Sequence, residues 1–598
     1  MAPKKKVTLT INGIQVTVPE DYTVLLAARE AGIDIPTLCY LKDINEVAAC
    51  RLCVCEAEVN GVPMRNLPTS CVLKVQEGMV VRTDTERVRK SVKMNLELIL
   101  ANHNRECLTC TRNQTCELQK LCHEMGIDVE SFDGETRDVC YDDLSPSIVR
   151  DSSKCVLCGR CVSACTKLQN ISVLEFVNRG FNTKVAPGFG YSIKDTDCIY
   201  CGQCINVCPV AAIKEKEHIK QVWAAIQDPD KHVVVQTAPA VRAALGEEFG
   251  VEMGNAVTGK MVSALKRLGF DKVFDTNFSA DLTIMEEGHE FINRVKNNGT
   301  LPMITSCSPG WIRYCEVFYP EFIDNLSTCK SPQQMFGAVV KSYYANVAGV
   351  DPDKIVSVSV MPCTAKKAEC ARPEMQVDGH RDVDYVLTTR ELAKMINEAR
   401  IIFDMLPEDD PDPIMGEYTG AGVIFGATGG VMEAALRTVA DVITGKDLKD
   451  IDYKAVRGIE SFKQASVTLP IDGKDTEVKV GVCSSAGAAE KVLNAIAAGE
   501  LELHFLEVMG CPGGCVHGGG QPHVSAKERI DREVRSERAK VLYKEDKRLP
   551  HRKSHENEEI KKLYEEFFKE PNSPIAHKYL HTHYAEQFIY MPDVVDRV

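Results

Sequence analysis

No stretch of this 598-residue chain reaches the roughly 18 uninterrupted apolar residues that a membrane-spanning helix needs, so none is expected and no membrane association is implied. A secretory leader is missing too. Met1 to Lys6 (MAPKKK) runs into the alternating VTLTINGIQVTV where a leader would carry an apolar block, and the expected location is the cytoplasm. Net positive charge is absent: 71 basic against 85 acidic residues leave −14, which repels polyphosphate in the absence of a basic stripe and disfavours nucleic acid as a partner. The composition, 44% hydrophobic and 26% charged with 40 Gly and 27 Pro, has the bias of neither a disordered nor a collagenous chain. No G-x-G-x-x-G fingerprint is present either, since GATGG at 426–430 lacks the pattern, so nicotinamide or flavin chemistry would belong to a partner. The length alone, against ~100–200 residues for an ordinary domain, predicts three or more domains.

What the chain has in excess is cysteine. Of 26, eighteen lie in the first 208 residues, grouped in twos and threes, and eight are scattered over the rest. In a long chain with no leader, this distribution favours metal ligation over disulfides. Cys39, Cys50, Cys53 and Cys71 are spaced C-x10-C-x2-C-x17-C, which suits the thiolate pairs of a [2Fe-2S] cluster, with zinc the competing metal. Cys55 alternates to the other strand face and is expected to fill core. His103, Cys107, Cys110 and Cys116 (H-x3-C-x2-C-x5-C) would serve a structural zinc site or a His-ligated [4Fe-4S] cluster. The neighbouring runs favour iron, because zinc has no redox chemistry. Those runs are two copies of C-x2-C-x2-C-x3-C, Cys155, Cys158, Cys161, Cys165 and Cys198, Cys201, Cys204, Cys208, the second followed by Pro209. In such pairs the last cysteine of each run ligates the other [4Fe-4S] cluster, giving Cys155, Cys158, Cys161, Cys208 and Cys198, Cys201, Cys204, Cys165. Sites this close in sequence form a wire for electrons.

Around them, residues 7–18 alternate about Asn12-Gly13 as a hairpin, and Thr23 to Ala31 reads as a helix stopped by Gly32. Thr85 to Asn102 is helical and leads into the His/Cys group. From Val233 onward, runs such as VVVQTA, VSVSVMPC and GVIFGA read as buried strands, each followed by helical sequence. Glu558 to Lys569 reads as an amphipathic surface helix, either a solvated face or a docking surface. The predicted architecture is multidomain α+β and α/β: a β-grasp [2Fe-2S] domain at 1–82, a small helical His/Cys domain at 83–135, a two-[4Fe-4S] ferredoxin domain at 136–222, and a large α/β domain at 223–598 with a charged helical tail.

Four of the remaining eight cysteines sit in three loops: TSCSPGW at 305–311, MPCTAKKAE at 361–369 and EVMGCPGGCVHGGGQP at 507–522. These resemble the three signature motifs of the [FeFe]-hydrogenases, and the N-terminal order of clusters resembles the large members of that family. The first two hundred residues are also similar to the cluster-bearing subunit of respiratory complex I. The resemblance implies an H-cluster, a [4Fe-4S] cubane joined to a two-iron unit with carbonyl, cyanide and bridging dithiolate ligands. Cys363, Cys511 and Cys515 are then cubane ligands, with Cys515 bridging. It implies heterolysis of dihydrogen at the distal iron, with Cys307 relaying the proton through Glu287, Ser327 and Glu290 to the surface near Arg294. Lys366 is expected to donate to a cyanide, Met361 and Met509 to pack on the cofactor, and Ala238, Pro239 and Phe425 to line the same cavity with GATGG. The glycines at 513, 514 and 518–520 are expected to let backbone approach the cofactor.

The first motif departs from the family's TSCCPxW. Ser308 stands in the place of a cubane ligand, so that Ser308 ligates weakly, Cys307 is drawn in, or the site is altered. The implied partners are dihydrogen and protons, ferredoxin and/or flavin/NAD(P)-binding subunits in an arrangement that could bifurcate electrons, and maturation proteins. The alternatives to catalysis are a complex I-like iron–sulfur electron carrier, a sensor or a cluster-assembly factor.

Overall fold

The computed structural model describes residues 5–127, 132, 134–446, 451–471 and 474–587. The chain opens with the expected hairpin, Lys6–Ile11 against Ile14–Pro19, turned at Asn12 and Gly13 with φ of 48° and 83°. Val80–Arg82 returns to pair parallel with the first strand and antiparallel with Glu56–Val59, which makes a five-stranded mixed sheet. Helix Val24–Glu30, N-capped by the Thr23 hydroxyl, buries Leu25 and Ala28 on Leu9 and Ile11. Cys55 is buried in that core as expected, but beside Cys53 and Cys71 and not on an opposite face, since residues two apart in extended chain share a face.

Thr85 caps helix Glu86–Leu100, whose Val88, Val92 and Leu96 recur every four residues and bury against Leu38, Leu52 and Val210. That packing fixes where the helix hands over to His103. In the next region the two four-cysteine runs repeat one local fold. Each ends a loop at a left-handed glycine, Gly159 or Gly202 (φ 77° and 70°), that starts a short helix, Arg160–Ser163 or Gln203–Val207.

The larger part of the chain carries two four-stranded sheets. In one, Lys272–Asp275, His232–Thr237, Ile355–Met361 and Tyr385–Thr388 are all parallel, and their nearly continuous apolar runs are buried on both faces. In the other, Met303–Ile304, Phe505–Met509 and Lys474–Ser484 are parallel and Phe462–Ile471 closes the edge as a hairpin. Helix Thr276–Lys296 lies between two cores, sending Ala280, Ile284 and Phe291 into one and Phe278 and Leu282 into the other. Strands ending at Thr237, Met361 and Met509 thus deliver three loops to one place, as the carboxyl ends of parallel strands commonly do.

One sequence expectation fails. GVIFGA is not a strand: Gly420–Ile424 is a short helix capped by Thr419, and GATGG joins it to helix Gly430–Thr444 instead of ending a strand. An apolar run buried all round carries no period that separates the two states. What selects the helix is close packing, since a Cβ on Gly422 would stand 2.6 Å from the Asn277 carbonyl oxygen. Glu558 to Lys569 is the expected amphipathic surface stretch, with Glu558, Lys561, Lys562, Glu565 and Glu566 exposed. Its helix, Glu558–Leu563, buries Ile560 and Leu563, and the following turn buries Tyr564 and Phe568, all in the core that holds Phe278 and Phe336. Among the described residues no helix is long and apolar enough to cross a membrane.

Candidate active site

The three loops meet around a cavity of about 80 Å³ whose walls include Cys307, Ser308, Cys363, Lys366, Cys511 and Cys515. Ala238, Pro239, Met361, Phe425 and Met509 complete its apolar side. Ala238, Pro239, Cys307, Ser308, Met361, Cys363, Lys366, Phe425, Met509, Cys511 and Cys515 thus line one cavity, as the sequence assigned them. GATGG is not among the lining residues. It backs the CPGGC turn from behind, with Thr428 N donating to Gly513 O at 3.1 Å and Val516 N to Gly426 O at 3.0 Å. Gly514 shows why the turn needs glycine: its φ is +91° and a Cβ would stand 2.6 Å from Thr428 N.

Burial pushes the Cys515 thiol up to about 12, with Cys363 the next cause, and raises Cys363 and Cys511 as well. Three mutually close thiols held in protonated form, with Lys366 the cation at the wall, are a poor arrangement for thiolates alone. They suit a cationic metal cluster that displaces the protons, and soft sulfur donors suit iron–sulfur chemistry. The residues present fit the group that the sequence implies.

Lys366 is held in place by ordinary electrostatics. Its ammonium donates to both Glu369 oxygens at 3.1 and 3.0 Å and to the Cys307 carbonyl at 3.1 Å. Glu369, which sequence reasoning did not single out, also accepts from Ser331, Gln333 and Gln334. The i, i+3 spacing from Lys366 was the available signal. Ser308 Oγ accepts from Gly510 N at 3.0 Å, so the serine pins the first loop to the third.

Behind Cys307 stands a line of acids on helix Thr276–Lys296. Glu287 is fully buried beside the Ser327 hydroxyl and the Ser306 backbone, and burial followed by the Glu290 charge lifts its pKa to about 8. Burial and then Glu287 raise the Cys307 thiol well above the ordinary range. Ser327 Oγ donates to Glu290 Oε2 at 2.9 Å, and Glu290 is paired with Arg294 at 2.7 Å. The structure thus gathers Cys307, Glu287, Ser327 and Glu290 in one file.

The second four-cysteine run docks directly on the second and third loops. Thr364 Oγ1 donates to Tyr200 O at 2.7 Å, Gln203 Nε2 to His517 O at 3.0 Å and Asn206 Nδ2 to Gly518 O at 2.9 Å. Gly202 and Gly519 meet so closely that a Cβ on Gly202 would stand 2.9 Å from Gly519 Cα. The glycines at 518–520 therefore serve contact with other protein segments more than approach to a cofactor; of the three, only Gly518 lines the cavity. The Cys201 thiol is raised first by burial and next by Cys511, which puts the two cysteine groups side by side.

Farther out, Cys155, Cys158, Cys161 and Cys208 surround one small cavity, so the last cysteine of the second run does cross to the first. Cys165 is correspondingly a neighbour of Cys198 and Cys204. Cys39 lies against Cys50 and Cys53 against Cys71, and Cys71 also feels the charges of Cys39 and Cys50. His103 Nδ1 is buried without a partner, and burial lowers its pKa to about 4, leaving a neutral imidazole of the kind that binds metal. Cys122 lies beside Cys107 and Cys116, a fourth thiol that the spacing argument passed over.

Against known proteins, residues 231–519 match the family described as iron only hydrogenase large subunit, C-terminal domain, and 532–587 the iron hydrogenase small subunit. Residues 4–86 match a 2Fe-2S iron-sulfur cluster binding domain, 93–130 the NADH-ubiquinone oxidoreductase-G iron-sulfur binding region and 154–212 a 4Fe-4S dicluster domain. The NADP-reducing hydrogenase subunit HndD of Solidesulfovibrio fructosivorans is 49% identical over 97% of this chain and 99% of its own. The chain belongs to the [FeFe]-hydrogenase family.

This hydrogenase is also 45% identical to iron hydrogenase 1 of Clostridium pasteurianum, over 97% of this chain and all of that one (100%). A solved [FeFe]-hydrogenase of Chlamydomonas reinhardtii covers 62% of the chain and 99% of its own length at 40% identity, with a TM-score of 0.56. The hydrogenase is an enzyme acting on dihydrogen, with 2Fe-2S and 4Fe-4S domains for electron transfer ahead of its catalytic domain. The small-subunit match explains the charged tail. It is an integral part of the catalytic fold, held by Arg538 to Glu247 at 2.6 Å and by Asp546 to Arg437 at 2.9 Å.

Proposed function

We propose that the hydrogenase interconverts dihydrogen with protons and electrons at the cavity between Cys307, Lys366 and the three cysteines Cys363, Cys511 and Cys515. The observation that carries this is the convergence on one wall of three buried thiols, a paired lysine and a file of acids leading away. When bound, an H-cluster on Cys363, Cys511 and Cys515 supplies an iron site where dihydrogen is split or formed and electrons are stored.

The chain's own residues do the rest. Met361, Met509, Phe425, Ala238 and Pro239 keep water out, and a dry site strengthens every charge interaction inside it. Lys366, locked by Glu369, presents a fixed positive charge to an anionic ligand. Cys307, protonated at neutral pH, exchanges its proton with Glu287, whose pKa near 8 allows it to hold or release one close to neutrality. Ser327 and Glu290 take the proton onward.

Electrons travel along clusters read as one [2Fe-2S] on Cys39, Cys50, Cys53 and Cys71 and three [4Fe-4S]. The first of these three is held by His103, Cys107, Cys110 and Cys116, the others by the two crossed sets of the ferredoxin region. The five-stranded sheet with its single helix supports a β-grasp for the first module, and the domains are read as 1–82, 83–135, 136–222 and 223–598. The partner is ferredoxin and/or a flavin/NAD(P)-binding subunit in the cytoplasm, and the NADP-reducing name of one relative favours the second.

The test is infrared spectroscopy of the matured chain together with dihydrogen evolution from a low-potential donor. Iron-bound carbonyl and cyanide bands with turnover support the proposal. Their absence after proper maturation supports the electron-carrier alternative, which draws on Ser308.

A further inference from the structure

The proton file reaches Glu290, and the question is what accepts the proton there. Arg294 does not have the chemistry. A guanidinium has five donors, no acceptor, and a charge that it keeps throughout the working pH range. Here those donors are all engaged: Nε and Nη2 on Glu290 Oε1 at 3.1 and 2.7 Å, Nη2 also on Leu326 O at 2.7 Å, and Nη1 shared among the carbonyls of Thr300, Asp324 and Asn325. Arg294 anchors Glu290 and passes nothing on.

A different path leaves the other carboxylate oxygen. Glu290 Oε2 contacts the Thr328 hydroxyl at 3.3 Å, and that hydroxyl lies 2.8 Å from His581 Nδ1. His581 Nε2 is 3.0 Å from Glu286 Oε2, and Glu286 also accepts from Tyr564 OH and from Asn572 N. His581 comes from the C-terminal segment, which is stitched to the Ser327 loop by backbone bonds, Lys330 N to Leu580 O at 2.8 Å and Thr582 N to Thr328 O at 2.7 Å. Beyond it the exposed His577 ring stands 4.1 Å away, centroid to centroid.

We infer that His581 is the proton exit of this hydrogenase, taking the proton from Glu290 through Thr328 and releasing it towards His577 and solvent. In the outward direction the protonated Glu290 gives its proton to Thr328 Oγ1 while the Thr328 proton passes to His581 Nδ1. Glu290 is left as the carboxylate, Thr328 as the neutral hydroxyl and His581 as an imidazolium held by the Glu286 carboxylate. The step moves one proton and no electrons, and inward transfer is its reverse. The inference rests on the reading of Glu290 as a relay.

The test uses the matured hydrogenase with His581→Gln, Thr328→Val, the double variant, and Glu290→Gln for reference. Each of the first two should slow dihydrogen evolution and dihydrogen/D2O exchange ~10²-fold with cluster spectra unchanged. The double variant should be no slower than the worse single, since members of one relay act as a unit. A protonated carboxyl band should also build up in the dihydrogen-reduced infrared difference spectrum of His581→Gln and vanish when Glu290→Gln is added. Rates within twofold of the unaltered enzyme, losses that multiply in the double variant, or no such band overturn the inference. A fast Glu290→Gln overturns instead the route through Glu290.

Discussion

Glu287 offers a direct physical test of the buried acid file. Burial and the Glu290 charge lift its carboxyl from 4.5 to about 8, which at ~1.4 kcal/mol per tenfold change in proton affinity separates the two protonation states by ~5 kcal/mol. At pH 7 the protonated form should therefore exceed the carboxylate by roughly ten to one. The unfolded chain loses this proton near the ordinary carboxylate value, so between pH 4.5 and about 8 the folded chain binds more protons than the unfolded one. The stabilisation is complete below about 4.5 and is lost as pH rises to 8. Glu287→Gln, which keeps the shape of the neutral acid, should lack that slope and gain relative to the parent chain as pH rises. The assay is an infrared pH titration of the protonated carboxyl band in the unaltered hydrogenase and in Glu287→Gln. A band that disappears with a midpoint near 8 and is missing from the variant is expected, with turnover of the variant down ~10²–10⁴-fold. A midpoint near 4.5, or a band that survives the substitution, would refute the reasoning.

His103→Cys should lower the potential of one [4Fe-4S] cluster by adding a thiolate charge, with the cluster retained; unchanged potentials or zinc at that site would sink the His/Cys reading. Ser308→Ala should remove the 3.0 Å bond from Gly510 N, costing ~1–2 kcal/mol of stability, and leave the paramagnetic resonance of the H-cluster unaltered if the serine only joins two loops. Cys307→Ala should likewise keep that signal while losing turnover; a lost signal assigns Cys307 to iron instead of to protons.

Much of the site was legible because its chemistry is carried by spacing. The two four-cysteine runs fixed their own crossing pattern, and the three loops announced their meeting place through Cys363, Cys511 and Cys515. Glu287 and Glu290 were legible as a pair on one helix face. The failures have a common cause, which is that tertiary contacts do not show in local pattern. The helix at 420–424 is chosen by close approach to Asn277, and the pattern of the tail showed an apolar face but not its destination, a core built some 200 residues earlier in the chain that Ile560, Leu563 and Phe568 complete. An exit near Arg294 was implied by the resemblance, whereas here its donors are taken by Glu290 and by backbone carbonyls brought from 300–326. His581 carried no sequence signal at all. Only the pairing of its strand with Thr328–Lys330 brings it to Glu290.

The central claim is that dihydrogen chemistry takes place at the cavity lined by Cys363, Cys511 and Cys515. The most direct test is dihydrogen evolution by the matured Cys515→Ala variant, measured beside its iron content and the resonance signals of the accessory clusters. The account predicts no turnover with most of the iron and all accessory signals retained, because those clusters have their own ligands. Turnover at the unaltered rate would contradict it.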